Sequence, residues 1–307
     1  MDIFIQQLIN GLTLGSVYAV VALGYTMVYG IIQLINFAHG ELVMIGAMVA
    51  FTLIGVLVPK GLNPVVIVLL ATACAIPVCM LIGYAMERLA YRPLRRAPRL
   101  APLITAIGVS IILQHLALLV WTRNNLAFPQ VIKTQSYHIG GATITNVQIA
   151  IMLMSLVMMA GLALLVYRTR LGTAMRATAQ NAQVAGLMGI DINRMIAATF
   201  VIGAALAAVA GVMVGSYYGI AHYQMGALLG LKAFSAAVLG GIGNLPGAML
   251  GGLLLGVVEA LGAGYIGDLT NNVFGSNYQD VFAFLVLIAV LVFRPSGLLG
   301  ERVGDRA

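Results

Sequence analysis

Gly11-Leu-Thr-Leu-Gly-Ser-Val-Tyr-Ala-Val-Val-Ala-Leu-Gly-Tyr-Thr-Met-Val-Tyr-Gly30 is a run of 20 residues without one charged side chain. At about 1.5 Å per residue a helix of that length matches the roughly 30 Å of a bilayer's hydrocarbon core. The same pattern recurs along the chain and predicts helices near 8–30, 41–58, 65–86, 100–121, 147–167, 195–219, 228–242, 247–266 and 279–293. The pair at 228–266 reads either as two short helices joined at Gly240–Gly247 or as a re-entrant element plus a full span, so the count is eight or nine. Composition agrees: 61 % of the 307 residues are hydrophobic, 8 % are charged, and mean hydropathy is +1.02. Soluble domains carry about 25 % charged residues, so a water-facing surface is excluded. The expected fold is an all-α polytopic membrane protein forming one transmembrane domain over 1–307.

The basic residues set the direction. Arg88, Arg92, Arg95, Arg96 and Arg99 fill one loop, Arg168, Arg170, Arg176 and Arg194 another, and Arg294, Arg302 and Arg306 the tail. Alternating nine spans puts all three segments on one side, holding 12 of the 16 lysines and arginines. Lys60, Arg123 and Lys133 fall opposite, and Lys232 sits at or near the membrane, where snorkelling to an interface is the simplest reading. The positive-inside rule makes the arginine-rich side cytoplasmic, with the amino terminus outside and the carboxyl terminus cytoplasmic. Met1-Asp2-Ile3 lacks a basic flank, so the first apolar stretch reads as a retained helix. The net charge of +7 is thus a topology signal and no indication of nucleic acid.

Chemistry-bearing motifs are sparse. HExxH and GxSxG are absent, and Gly226-Ala-Leu-Leu-Gly230-Leu-Lys232 lacks the spacing and the Ser or Thr of a phosphate loop. Cys74 and Cys79 read as inert buried thiols with no metal partners. No catalytic residue, metal or cofactor is expected. Attention therefore falls on polar groups that lipid would penalise. Asn36, His39 and Glu41, in Asn36-Phe-Ala-His-Gly-Glu41, either unwind a helix along a solute path or form a cytoplasmic turn with an Asn or His cap. Gln114-His115 lies deep in a span, where an interhelical hydrogen bond competes with a ligand contact. Glu259 is mid-span and needs a partner. Gly211, Gly215 and Gly219, like Gly243, Gly247 and Gly251, repeat every four residues and so share a helix face, the pattern of a packing seam. The outer loop 122–146 suits a hairpin or turn-rich cap. The inner loop 168–194 suits one or two short helices, with Gly189 as a stop and Asp191 as the next cap.

The first stretch, followed by Ile35-Asn-Phe-Ala-His-Gly-Glu-Leu-Val-Met-Ile-Gly46, resembles the LivH-type permease of branched-chain amino acid ABC importers. The likeness continues through Glu87-Arg-Leu-Ala-Tyr-Arg-Pro-Leu-Arg95, Gly189-Ile-Asp-Ile-Asn-Arg194, Lys232-Ala-Phe-Ser-Ala-Ala-Val-Leu-Gly-Gly-Ile-Gly243 and Arg294-Pro-Ser-Gly-Leu-Leu-Gly300, in order. It implies a multi-pass permease of the bacterial inner membrane that is itself no enzyme. Its implied partners are a LivM-type permease in a heterodimer, two cytoplasmic ATPases that bind the ATP, and a periplasmic amino-acid-binding protein meeting the segments near 122–146 and 220–227. The inner loop resembles the family's ATPase-coupling segment, which carries that role over to Arg176, Gly186, Gly189, Ile190 and Arg194. Two rivals stay open: a urea or short-chain amide permease of the same family, and an ion-coupled secondary transporter using Glu259, Glu41 or His115.

Overall fold

The computed structural model describes residues 2–95, 97–98, 100–139, 141–269 and 278–300. Met1, Arg96, Arg99, Arg302 and Arg306, which entered the sequence reading, lie outside the described residues. In order, the elements are α1 (Asp2–Ile32), α2 (His39–Leu57), α3 (Pro64–Ala85), α4 (Leu100–Val120), β1 (Leu126–Ala127), β2 (Ser136–Ile139), β3 (Ala142–Thr145), α5 (Asn146–Arg168), α6 (Arg170–Gln180), α7 (Ala182–Leu187), α8 (Ile192–Tyr218), β4 (Ile220–Ala221), α9 (Met225–Gly240), α10 (Leu245–Leu269) and α11 (Gln279–Phe293). A π-type turn, Met86–Tyr91, continues α3. The chain is an all-α polytopic membrane protein. Seven helices among the described residues are long and apolar enough to cross a membrane, where eight or nine were expected. The difference lies in α9 and α11, which are apolar but only 16 and 15 residues long. At 228–266 the structure takes the form of one short helix, a turn and one full-length helix. Gly241 and Gly243, at φ +107° and +96°, make the turn that ends α9.

Local signals account for the helix boundaries. Asn63 caps α3 by accepting from the Val65 amide at 3.0 Å, with Pro64 in the first helical position, where no amide partner is needed. Asp191 caps α8 through the amides of Asn193 and Arg194 at 3.0 and 3.2 Å. Gly219, with φ +67°, ends the same helix. The expected hairpin forms as β2–β3, with Tyr137 opposite Ile144 and His138 opposite Thr143.

The chain divides into two compact units, with three of the four divisions falling inside α1, α5 and α9 and the fourth between β1 and β2. In the unit built from 23–133 and 160–231, α8 is the central helix, packed on α2 and α3. Small residues permit this. A Cβ on Gly46 would stand 2.7 Å from the Ala208 Cα, and one on Gly211 would enter the backbone of Val43 and Ala47. His39 at the start of α2 meets Gly203, and residues further along α2 meet residues further along α8, so the two helices run in the same direction. Beyond α8, β1 pairs antiparallel with β4, and the Phe128 ring fills the space over Gly215. In the unit built from 1–22, 134–159 and 232–307, α10 lies along the first half of α1, Gly256 on Gly15 and Gly252 on Ala19. Gln6 clasps the hairpin, donating to the Thr143 carbonyl at 3.0 Å and accepting from its amide at 2.8 Å.

The glycine repeats thus serve two purposes. Gly211, Gly215, Gly247 and Gly251 are close-approach positions as expected. Gly219 and Gly243 are instead positive-φ turn residues, and a Cβ on Gly243 would meet nothing within 4 Å. Their four-residue spacing continues past the helix end, which is why the pattern included them. Overpacking a core costs about 1–3 kcal/mol, and more where backbone must move. Gly211→Val should therefore lower the thermal unfolding midpoint in detergent by several degrees or abolish folded yield. Gly161→Ala, with open space around its Cβ, should leave both unchanged.

Candidate functional site

The break between α1 and α2 is built from short-range constraints. α1 ends at Gln33, a non-glycine residue at φ +51°. Asn36 Oδ1 then accepts from the Ala38 amide at 3.1 Å and from the Tyr91 hydroxyl at 2.7 Å, fixing the reversal against the π-type turn. Val28, Ile31 and Ile32 of α1 share an apolar cluster with Ile192, Ile196 and Phe200 at the start of α8. His39, the first residue of α2, packs instead against Gly24 and Gly203. Gly203 lies 11 residues beyond Ile192, or about 16 Å along α8. The chain passes the end of α1 and climbs back before α2 begins. α2 therefore starts near half depth relative to a full-length span, with Asn36 stapling the turn beneath it.

At this half-depth start sits Glu41, fully buried. Its Oε1 accepts from Ser110 Oγ at 2.9 Å and Gln114 Nε2 at 2.8 Å, two groups one turn apart on α4. Its Oε2 accepts no hydrogen bond from any described residue and lies against the first turn of α9, where a Cβ on Gly226 would stand 2.6 Å away. Gly40 meets Gly226 and Gly230 backbone to backbone, and a Cβ on Gly230 would stand 2.8 Å from the Tyr25 hydroxyl. The Tyr25 and His39 rings meet edge to face at 4.8 Å between centroids. Three sequence candidates, Asn36, His39 and Glu41, are thus all buried within one six-residue stretch. His115 does not join them: it is exposed, and its Nδ1 is bonded to the Ile111 carbonyl of its own helix at 2.8 Å. Tyr25 and Ser110 were not among the sequence candidates, and Gly226 and Gly230 entered the sequence reading only as a failed phosphate loop. The legible trace was the spacing of Ser110 and Gln114, four apart on an otherwise apolar helix.

Two ion-paired centres flank the helix ends. Arg95 pairs with the buried Glu87 and donates to Asn193 Oδ1, joining the end of α3 to the first turn of α8. Burial pulls the Arg95 guanidinium below its ordinary value, while Glu87 opposes the shift and holds the charge. In the other unit Glu259 is buried in α10, and Lys232 Nζ stands 2.7 Å from both Glu259 and Asp280. The Tyr18 hydroxyl donates to the same Glu259 oxygen at 3.3 Å. Lys232 therefore turns inward to two carboxylates instead of snorkelling, because a buried Glu259 needs a counter-charge more than the ammonium needs an interface. Cys79 is buried as expected, whereas Cys74 is exposed on α3. Among the described residues no three His, Cys, Asp or Glu side chains gather as a metal-binding set.

The segment between α5 and α8 folds as two short helices. Gly172 lets α6 turn back tightly over the Leu165 and Val166 carbonyls. Asn181 ends α6 and caps α7, accepting from the Gln183 and Val184 amides, both at 3.0 Å. Gly189, at φ +85°, stops α7, and the Ile190 amide returns to the Ala185 carbonyl at 3.1 Å. Met175 and Thr178 point inward, while Val184, Leu187 and Met188 stand exposed, Leu187 at 88 %. Arg176 lies 5.5 Å over the Tyr167 ring, Arg194 pairs with Asp191 at 3.1 Å, and a Cβ on Gly186 would meet the Ile192 side chain at 3.9 Å.

Removing one partner of a buried ion pair typically costs about 3–5 kcal/mol, because the other charge is left uncompensated. Lys232→Met should destabilise the detergent-solubilised protein on that scale, and adding Glu259→Gln should recover part of the loss. Additive losses in this double-mutant cycle would show the two groups to be uncoupled.

The family described as "Branched-chain amino acid transport system / permease component" matches residues 7–291. The high-affinity branched-chain amino acid transport system permease protein BraD of Pseudomonas aeruginosa is 51 % identical over 303 residues, 97 % of this chain and 96 % of that protein. The corresponding LivH proteins of Salmonella typhimurium and Escherichia coli are 46 % and 45 % identical, again over 97 % of this chain and 96 % of theirs. No solved structure matches. This chain belongs to the permease-component family of branched-chain amino acid transport systems.

Proposed function

We propose that the chain is the membrane permease subunit of an ATP-driven importer that moves leucine, isoleucine, valine or related amino acids from the periplasm to the cytoplasm of a bacterial cell. The observation that carries this reading is identity of 45–51 % across nearly the whole chain to proteins named as branched-chain amino acid transport permeases. It favours branched-chain amino acids over urea or amides.

ATP hydrolysis is assigned to two cytoplasmic partner subunits, pore formation to a second, LivM-type permease, and solute delivery to a periplasmic binding protein. No cofactor is assigned to this chain itself. The arginine-rich loops are placed on the cytoplasmic side, with the amino terminus outside. That puts α6 and α7 at the cytoplasmic face, where Val184, Leu187 and Met188 offer an apolar edge to a groove on the ATPase. The path for the solute is assigned to the half-depth break at Asn36, His39 and Glu41, the place in this unit where backbone and charge leave the helical pattern inside an apolar surround.

Of the three residues an ion-coupled transporter acting alone would use, Glu41 keeps an oxygen with no hydrogen bond from a described residue, while the other two are engaged. Glu259 is already neutralised by Lys232, and His115 is bonded within its own helix. The decisive experiment is uptake of radiolabelled leucine by cells lacking their own branched-chain permeases, with and without this chain and its companion subunits. Uptake that needs ATP and persists when the proton gradient is collapsed supports the importer. Uptake that follows the proton or sodium gradient while ATP remains high contradicts it. Leu187→Asp should leave the amount of permease in the membrane unchanged, reduce co-purified ATPase at least tenfold and abolish uptake.

A further inference from the structure

We propose that Glu41 is the anchoring group for the α-ammonium of the amino acid as it crosses the membrane, through its Oε2 oxygen. The inference rests on the permease reading and assigns a residue and an atom to substrate recognition. The carboxylate is divided in function. Ser110 and Gln114 hold Oε1 with two hydrogen bonds from one helix, which fixes the plane of the group and aims Oε2 away from α4. Oε2 faces α9 and receives no hydrogen bond from a described residue, although Glu41 is fully buried. A buried carboxyl oxygen without a hydrogen-bond partner is costly, and calls for a role in which another state supplies that partner.

Gly226 lies against Oε2 with no side chain, and Gly40 meets Gly226 and Gly230 backbone to backbone, so the two helices come close without a side chain at these three positions. A separation of a few ångströms would open a slot walled by main-chain polar groups and the Tyr25 hydroxyl, with Oε2 at its floor. An ammonium fits that floor: it offers three donors and a positive charge to an oxygen that lacks both. A carboxylate or a neutral apolar group would not. The solute side chain would then point toward the apolar surround, where length and branching are weakly discriminated.

The test uses the assembled complex in proteoliposomes, with leucine uptake and ATP hydrolysis measured in parallel. Glu41→Gln keeps an oxygen for Ser110 and Gln114 but removes the charge. Gly226→Ala keeps the charge but places a methyl against Oε2 and against the main chain of Gly40 and Glu41, 2.6 and 2.9 Å away. For Glu41→Gln the expected result is an assembled complex whose ATP hydrolysis is still stimulated by the binding protein, with leucine moved per ATP reduced at least tenfold; for Gly226→Ala, whose methyl must push the two helices apart, it is leucine transport reduced at least tenfold. Glu41→Gln transporting within twofold of the wild type overturns the proposal. So does a Glu41→Gln chain that fails to assemble while Gly226→Ala transports normally, since Glu41 would then serve the fold alone. Failure of the wild-type complex to carry leucine would instead refute the permease reading itself.

Discussion

In hydrocarbon every main-chain amide and carbonyl must find a partner within the protein, and the break between α1 and α2 is where this chain meets that demand at greatest cost. The solution uses neighbouring side chains. Asn36 Oδ1 accepts from the Ala38 amide and from the Tyr91 hydroxyl, and Tyr91 is carried by a π-type turn that extends α3. α8 then supplies Gly203 and Gly211 so that the re-started helix can lie alongside it. A displaced helix start, three helices and two polar clasps follow from allowing one helix to begin inside an apolar surround.

The same principle governs the crossing of α2 and α9. A glycine contact brings backbones within van der Waals range and gives up side-chain packing, so such contacts are close but not interlocked. In the interior of the other unit, Gly11, Gly15, Gly252 and Gly256 make a long seam of this kind along two full-length helices. At Gly40, Gly226 and Gly230 the seam is one turn long and has a carboxylate beneath it. Length separates a seam that holds from one suited to parting.

Much of the architecture was legible in the sequence because helix length and end-capping residues are one-dimensional signals. The boundaries at 64, 192 and 219 are written in Asn63-Pro64, Asp191 and Gly219, and the α6–α7 segment in its Thr, Asn and Gly punctuation. The half-depth start of α2 was not legible, since nothing in Asn36–Glu41 states how far the chain climbs before the helix resumes. Lys232 was misread because its partners, Glu259 and Asp280, are 27 and 48 positions away and no periodicity links them. Gly219 and Gly243 matched a packing repeat by spacing, while their role was set by φ. The Glu41 centre was half visible: the polar residues stood out, but the roles of Tyr25, Gly226 and Gly230 arise only when α1, α2 and α9 are brought together.

On this account the α2–α9 crossing is closed at rest and opens to solute during the transport cycle. The most direct test replaces Cys74 and Cys79, introduces Tyr25→Cys at the buried position whose hydroxyl lies against Gly230, and follows reaction of the new thiol with a membrane-impermeant reagent in the assembled complex. The account predicts negligible labelling at rest and labelling that rises at least tenfold during ATP turnover with binding protein and leucine present. A complex that transports leucine while the introduced thiol reacts at the same rate in both conditions would contradict it.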